Sequence, residues 1–225
     1  PIMSEKLTNY ITIGGTLASL LFPLYTFRYL PVIDFRPYKI GSNITEGMSY
    51  PSNAAQPIFE YRWTFTHNGV EKVIVTNGDF PKEKGEYTVE TVMIQEGYEP
   101  PIHDFTMERD GEDFSADFLQ EDNLIVVIAY SISNSETEGF ANIKEATDKA
   151  IRNGYKVIGL SASSPQVTEA LTKKYQLDFD FYFCDETALK TVVRSNPSLI
   201  ELQNGTIIDK LHWNDVSKLK LSNNN

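Results

Sequence analysis

Residues Asn123–Ser135 read N-L-I-V-V-I-A-Y-S-I-S-N-S. Leu124 to Tyr130 is an unbroken apolar run rich in β-branched residues. Such a run fits a strand buried on both faces, as in a parallel sheet covered by helices. It ends in a polar turn that feeds a helix, a place where α/β proteins often put their chemistry. This turn holds no cysteine, no histidine and no glycine-rich loop. It therefore points to a fold more firmly than to a reaction.

Downstream, Ser135 and Glu138 have the spacing of a capping box. They predict a helix whose apolar residues Phe140, Ile143, Ala146, Ala150 and Ile151 share one face, closed by Gly154. Tyr155–Leu160 reads as a strand. Ser164-Pro165 opens a second helix, with serine at the N-cap and proline at N1, running to about Tyr175. Phe179–Cys184 reads as a strand and Glu186–Arg194 as a short helix. Ser198–Leu202 and Thr206–Leu211 flank Asn204-Gly205 and predict a hairpin. Asn214–Leu219 reads as a last helical turn. Strands alternating with helices imply parallel pairing, with the hairpin as an antiparallel edge.

Upstream, Ile102–Met107 with Arg109-Asp110-Gly111 reads as a short strand and tight turn. Glu60–Thr66 and Glu71–Thr76 flank an Asn68-Gly69 turn, and Tyr87–Gln95 adds a third strand. Trp63 and Phe65 share one face of that hairpin, which is expected to pack against the second domain. Residues 30–57 are punctuated by proline and glycine and read as an ordered linker. The 21 residues from Leu7 to Phe27 carry no charge, long enough for a helix to cross a bilayer. Thr8, Asn9, Thr12, Thr16, Ser19 and Pro23 dilute its hydrophobicity. Arg28, Arg36 and Lys39 would favour a cytoplasmic side after it, though three residues are few. The expected organisation is a transmembrane helix in 1–29, a linker and small β-rich region in 30–99, an α/β domain in 100–221 and a disordered tail in 222–225. The chain does not start with methionine, so a fragment or processed product is expected.

The net charge is −11, which argues against nucleic-acid binding. The chain has one cysteine, Cys184, and so no intrachain disulfide. Cys184 ends a buried strand beside Asp185, where burial and a carboxylate both raise a thiol pKa. It reads as a core residue, with a redox sensor as the alternative. His67, His103 and His212 lack metal-ligand spacing. Glu108, Asp110, Glu112, Asp113 and Asp117 lack the spacing of a calcium loop. No metal and no cofactor are expected. Ser131, Ser133 and Ser135 lie outside any nucleophile elbow.

The order of elements resembles the thioredoxin-like fold in its redoxin form. Ile102-His103-Asp104-Phe105 with Asp110-Gly111 is similar to the redoxin opening, and Leu124–Tyr130 to the strand before the redox motif. Asp185 is similar to the aspartate ending the corresponding strand. Asn196-Pro197-Ser198-Leu199 before Gln203-Asn204-Gly205-Thr206 is similar to the cis-proline and its hairpin. The resemblance implies a cis Pro197 facing the turn after the central strand. More narrowly, Leu30–Ile44 and Arg194–Ile200 resemble the C-terminal portion of DoxX-family membrane proteins of Bacteroidetes-type bacteria. Those chains join membrane helices to a thioredoxin-like tail. That implies a bacterial inner-membrane location and no established reaction; the soluble domain is expected on the periplasmic side or, by the charges after the helix, on the cytoplasmic one. The thioredoxin motif is C-x-x-C, and its matching positions here, Ser131–Ser135, hold no cysteine.

The expectation is a membrane-tethered thioredoxin-like module without redox cysteines, acting as a binding or assembly domain. Its candidate binding corner is Ser131, Ile132, Ser133, Asn134, Asn196 and Pro197. Its partners are a protein or its own membrane portion, and the bilayer through residues 7–27. The alternatives are a redox-associated component using Cys184 or cysteines of a missing membrane part, and a purely structural domain stabilising that part.

Overall fold

The computed structural model describes residues 4–31, 33–67, 69–103 and 105–221. Asn68 of the expected turn, Asp104 of the redoxin-like opening and the tail 222–225 lie outside the described residues. The chain divides into two compact units, Pro1–Gly47 with Ile102–Asn225, and Met48–Pro101.

The smaller unit is an antiparallel sheet. β1 (Ile58–His67) lies between β2 (Val70–Thr76) and β3 (Glu86–Gln95). A three-stranded sheet needs an apolar face to be stable. Trp63 and Phe65, two residues apart on β1, supply it. The Trp63 ring meets Phe80 at 4.9 Å and Tyr87 at 5.5 Å, and its Nε1–H donates to Thr76 Oγ1 at 2.9 Å. Phe65 on the same face also meets Phe80 at 6.4 Å and Tyr87 at 5.6 Å.

The larger unit begins with α1 (Glu5–Arg28). Its 22-residue apolar stretch Glu5–Thr26 has no buried residue and is long enough to cross a bilayer; a signal sequence fits the same description. The hydroxyls that dilute its hydrophobicity are satisfied internally. Thr8, Thr12 and Thr16 donate to the carbonyls four residues back, and Ser19 and Thr26 to those three back. In lipid, where no water competes, such bonds lower the cost of a hydroxyl.

The rest is a mixed seven-stranded sheet with flanking helices. Its strands are β4 (Glu108–Arg109), β5 (Glu112–Asp113), β6 (Leu124–Ile128), β7 (Lys156–Ser161), β8 (Phe181–Phe183), β9 (Ser198–Gln203) and β10 (Thr206–His212). The order is β10-β9-β6-β7-β8-β4-β5. β6, β7 and β8 are parallel, while β9 and β10 run antiparallel. The helices are α2 (Ile44–Met48), α3 (Ser115–Phe118), α4 (Gly139–Arg152), α5 (Pro165–Tyr175) and α6 (Glu186–Val192), with 3₁₀ turns at Ile132–Asn134 and Trp213–Lys218. This is the thioredoxin-like arrangement, with the Asn196–Pro197 peptide cis.

Every residue of β6 is buried, as its unbroken apolar run requires. Ile125 and Val127 face α4, where Phe140, Ile143, Ala146 and Ala150 complete one core. Removing five such side chains from water is worth about 1.5–3 kcal/mol each. β7 approaches β8 so closely that a Cβ on Gly159 would lie 2.5 Å from the Phe181 ring. Gly159→Ala is therefore expected to destabilise the unit by about 1–3 kcal/mol through overpacking, read as a fall in the urea midpoint.

The opposite face is covered by residues upstream of the smaller unit. Val126, Ile200 and Lys210 are successive partners across β6, β9 and β10, so they share that face. Lys210 Nζ reaches Asp34 Oδ2 at 2.7 Å and the Tyr38 carbonyl at 2.8 Å. Arg36 grips the same carboxylate through Nε (2.7 Å) and Nη2 (2.9 Å). Burial works against the charged form of Asp34, but the Arg36 and Lys210 hydrogen bonds outweigh it and hold the carboxyl well below the usual range. Tyr38 and Ile44 are buried, so the segment expected as an ordered linker contributes these two side chains to the core.

Three local expectations are corrected. Ser135 caps no helix: its Oγ donates to the Ile132 carbonyl at 2.7 Å, and α4 starts at Gly139 after Glu138. Ile102, His103 and Phe105–Met107 are not in a strand, although Ile102, Phe105 and Met107 are buried; pairing begins at β4, which joins β5 across the Asp110-Gly111 turn and β8 on its other side. Ser164 precedes α5 as expected, but its side chain makes no capping hydrogen bond.

Candidate functional site: a corner without thiols

β6 delivers the chain to a turn that the sheet holds from two sides. The Ile132 N–H donates to Ser163 Oγ at 3.0 Å, and Asn196 Nδ2 donates to the Ser131 carbonyl at 2.7 Å. The Glu136 N–H donates to the Asn196 carbonyl at 2.9 Å. The structure thus brings together the sequence-derived residues Ser131, Ile132, Ser133, Asn134, Asn196 and Pro197, with the cis peptide facing the turn. Ser163, after β7, carried no sequence signal that linked it to the turn.

The chemistry of this corner is that of neutral hydrogen-bonding groups. Ser131 Oγ lies 3.3 Å from Ser133 Oγ and accepts from Asn134 Nδ2 at 3.0 Å. Among the described residues neither Ser131, Ser133 nor Ser135 is hydrogen-bonded to a histidine or a carboxylate, the groups that activate a serine nucleophile. Two buried atoms beside the cis bond, Asn196 Oδ1 and Ser198 Oγ, have no hydrogen-bond partner among the described residues. The bond from Nδ2 to Ser131 fixes which end of the Asn196 amide is the carbonyl oxygen. An unsatisfied buried polar atom costs about 1–3 kcal/mol.

Cys184 lies outside this corner. It follows β8, is wholly buried, and its N–H donates to the Ser161 carbonyl at 3.1 Å. Burial pushes its thiol up to about 12, and the neighbouring Asp185 adds to the rise. Asp185 itself is the N-cap of α6, accepting from the Thr187 and Ala188 N–H groups at 2.7 and 3.0 Å. At pH 8 a thiol with that pKa is thiolate in about one molecule in ten thousand. Native Cys184 is therefore expected to resist iodoacetamide and to react only after denaturation; rapid native labelling would contradict this.

His212 is buried, its Nδ1 accepts from the Asn214 N–H at 3.1 Å, and burial lowers its pKa. Among the described residues no group of three or more His, Cys, Asp or Glu is placed to hold a metal ion. A cleft of ≈ 1190 Å³ lies between the β4–β5 turn, α5 and β8, lined by Arg109, Glu169, Lys173, Asp180 and Phe181. It adjoins the corner through Ser163. No local pattern of residues announces it, because its walls come from three separated elements.

No family model and no curated protein matches the chain. Solved structures with a similar fold include three from Bacteroides. One is the C-terminal domain of a protein described as a thiol-disulfide oxidoreductase from Bacteroides thetaiotaomicron, with 23% identity over 47% of this chain and 80% of that one, TM-score 0.38. Another is a thiol-disulfide oxidoreductase from Bacteroides fragilis, with 19% identity over 51% and 90%, TM-score 0.40. The third is the thioredoxin domain of an oxidoreductase from Bacteroides vulgatus, with 13% identity over 51% and 90%, TM-score 0.39. At these identities and scores the likeness says nothing of chemistry. The class rests on strand order, the cis Asn196–Pro197 bond and the turn that it faces.

Proposed function

We propose that this chain is a membrane-anchored thioredoxin-like module that binds a protein segment at the Ser131–Asn134 and Asn196–Pro197 corner and performs no thiol–disulfide exchange. One observation carries the reading. The turn where exchange needs a low-pKa thiolate holds only serines, Ile132 and Asn134, while the one thiol is buried elsewhere with its pKa pushed up. The hydrogen bonds that hold the turn against Asn196 support a preformed surface at the same corner. The length and exposed apolar surface of α1 support the anchor. The resemblance of Leu30–Ile44 and Arg194–Ile200 to DoxX-family C-terminal portions supports a bacterial inner-membrane setting. There the partner is another protein or membrane helices joined to this module.

A photo-crosslinking side chain at Ser133 in native membranes is expected to trap one discrete partner, and Asn196→Ala to weaken that adduct. The same probe at exposed Phe183 is expected to trap none. Equal adducts from both positions would contradict the reading.

A further inference from the structure

The segment that follows α1 presents apolar side chains outward from a rigid base. Side-chain exposure alternates along it: Ile33 is 65% and Phe35 90% exposed, whereas the side chains of Asp34 and Arg36 are each 17% exposed. The inward pair is locked by the Arg36–Asp34–Lys210 contacts. Phe35 sits between two clamped residues, so its ring cannot turn inward without breaking them. A lone exposed apolar residue is ordinary; a pair held outward by a buried ion-pair network is less so.

The surroundings indicate what covers it. Asn214 Nδ2 donates to the Arg28 carbonyl, at the end of α1, at 3.4 Å. Lys210, which holds Asp34, lies four residues earlier, a span of about 14 Å of extended chain at most. The clamp beneath Phe35 and the end of α1 are thus both tied to the one short stretch 210–214. Tyr25 and Tyr29 stack at that helix end at 5.1 Å. Lys218, whose pKa is raised chiefly by Asp215 and also by Tyr29 and Tyr25, adds a cation near those two rings. Aromatic rings, cations and apolar side chains gathered at the end of a membrane-length helix match the composition of a lipid–water interface.

We infer that Ile33 and Phe35 form a second membrane contact, a wedge seated in the lipid headgroup region beside α1. This rests on the reading of α1 as a membrane anchor. The wedge would fix the tilt of the larger unit against the bilayer, which a single helix followed by a free linker would not do.

The test uses the full chain in vesicles of phosphatidylethanolamine and phosphatidylglycerol. Single cysteines at Phe35, Leu17 and Phe183 carry an environment-sensitive fluorophore in a Cys184→Ser background. Nitroxide lipids quench either near the headgroup or near the chain end. Phe35 has almost no packing to lose, and matching urea midpoints would show that each variant folds. The position-35 label is expected to emit to the blue and to lose most of its emission to the headgroup nitroxide. The Leu17 label should be quenched by the deep nitroxide, and the Phe183 label by neither. A quenched Leu17 label with a water-like, unquenched position-35 label would overturn the wedge and leave the anchor standing. An unquenched Leu17 label would overturn the anchor, and the wedge with it. A blue-shifted position-35 label that no lipid quenches would assign the patch to a protein surface and overturn the lipid assignment.

Discussion

Replacing Asp34 with alanine is expected to destabilise the larger unit by about 3–5 kcal/mol, the cost of leaving a buried ion without its partner. Burial pushes the Lys210 ammonium down, and Asp34 pushes it back up; the variant keeps the first and loses the second. Arg36 also loses its three bonds to the carboxylate, two from the guanidinium and one from its backbone N–H. Asp34→Ala/Lys210→Met is expected to recover most of the loss, because an apolar pair of similar volume often replaces a buried ion pair at little cost. Urea unfolding of the intact chain in detergent reads both. The pH dependence follows from the depressed carboxyl of Asp34. Its contribution is fully present above the unfolded value of 3.8 and is lost as the pH falls through the lower folded value. The gap between wild type and Asp34→Ala should hold from pH 7 down to about 4 and close only in stronger acid. A gap that closes near neutrality would show that the carboxylate is not held by these cations.

The second large effect concerns α1. Leu17 and Leu20 are exposed, and none of the apolar stretch is buried against protein. Aspartates at both positions should leave the fold in detergent unchanged. At about 2.5–3.5 kcal/mol for each charge near a helix centre, Leu17→Asp/Leu20→Asp should lower membrane insertion by about 5–7 kcal/mol. The variant is then expected in the carbonate-soluble fraction and the wild type in the pellet. A variant that stays in the pellet would mean that α1 is not what holds the chain there.

What could be read in the sequence was local. The Leu124–Ile128 strand, the Pro165 helix start and the Asn204-Gly205 hairpin each rest on a few adjacent residues and on rules of short range, while the cis Pro197 was implied by the resemblance alone. The Asp34–Lys210 clamp joins residues 176 apart, and no local pattern announces such a pair; proline and glycine around Asp34 read as linker instead. Ser135 failed for a related reason. The capping-box spacing was present, but the 3₁₀ turn Ile132–Asn134 took the serine hydroxyl for its own carbonyl. Helix α4 then began at Gly139, where a Cβ would lie 2.9 Å from the Trp213 side chain, a tertiary contact that the spacing cannot express. At the corner, the residue types were legible, but Ser163 and the two unpartnered atoms were not, because they depend on how β6, β7 and β9 assemble.

The central claim is a thioredoxin-like corner that has lost its redox chemistry. Insulin disulfide reduction by the intact chain in detergent, with dithiothreitol as reductant, tests it most directly. Turbidity should rise no faster with the chain than with dithiothreitol alone, and Cys184→Ser should be indistinguishable from wild type. Faster reduction that the Cys184→Ser variant loses would contradict the account.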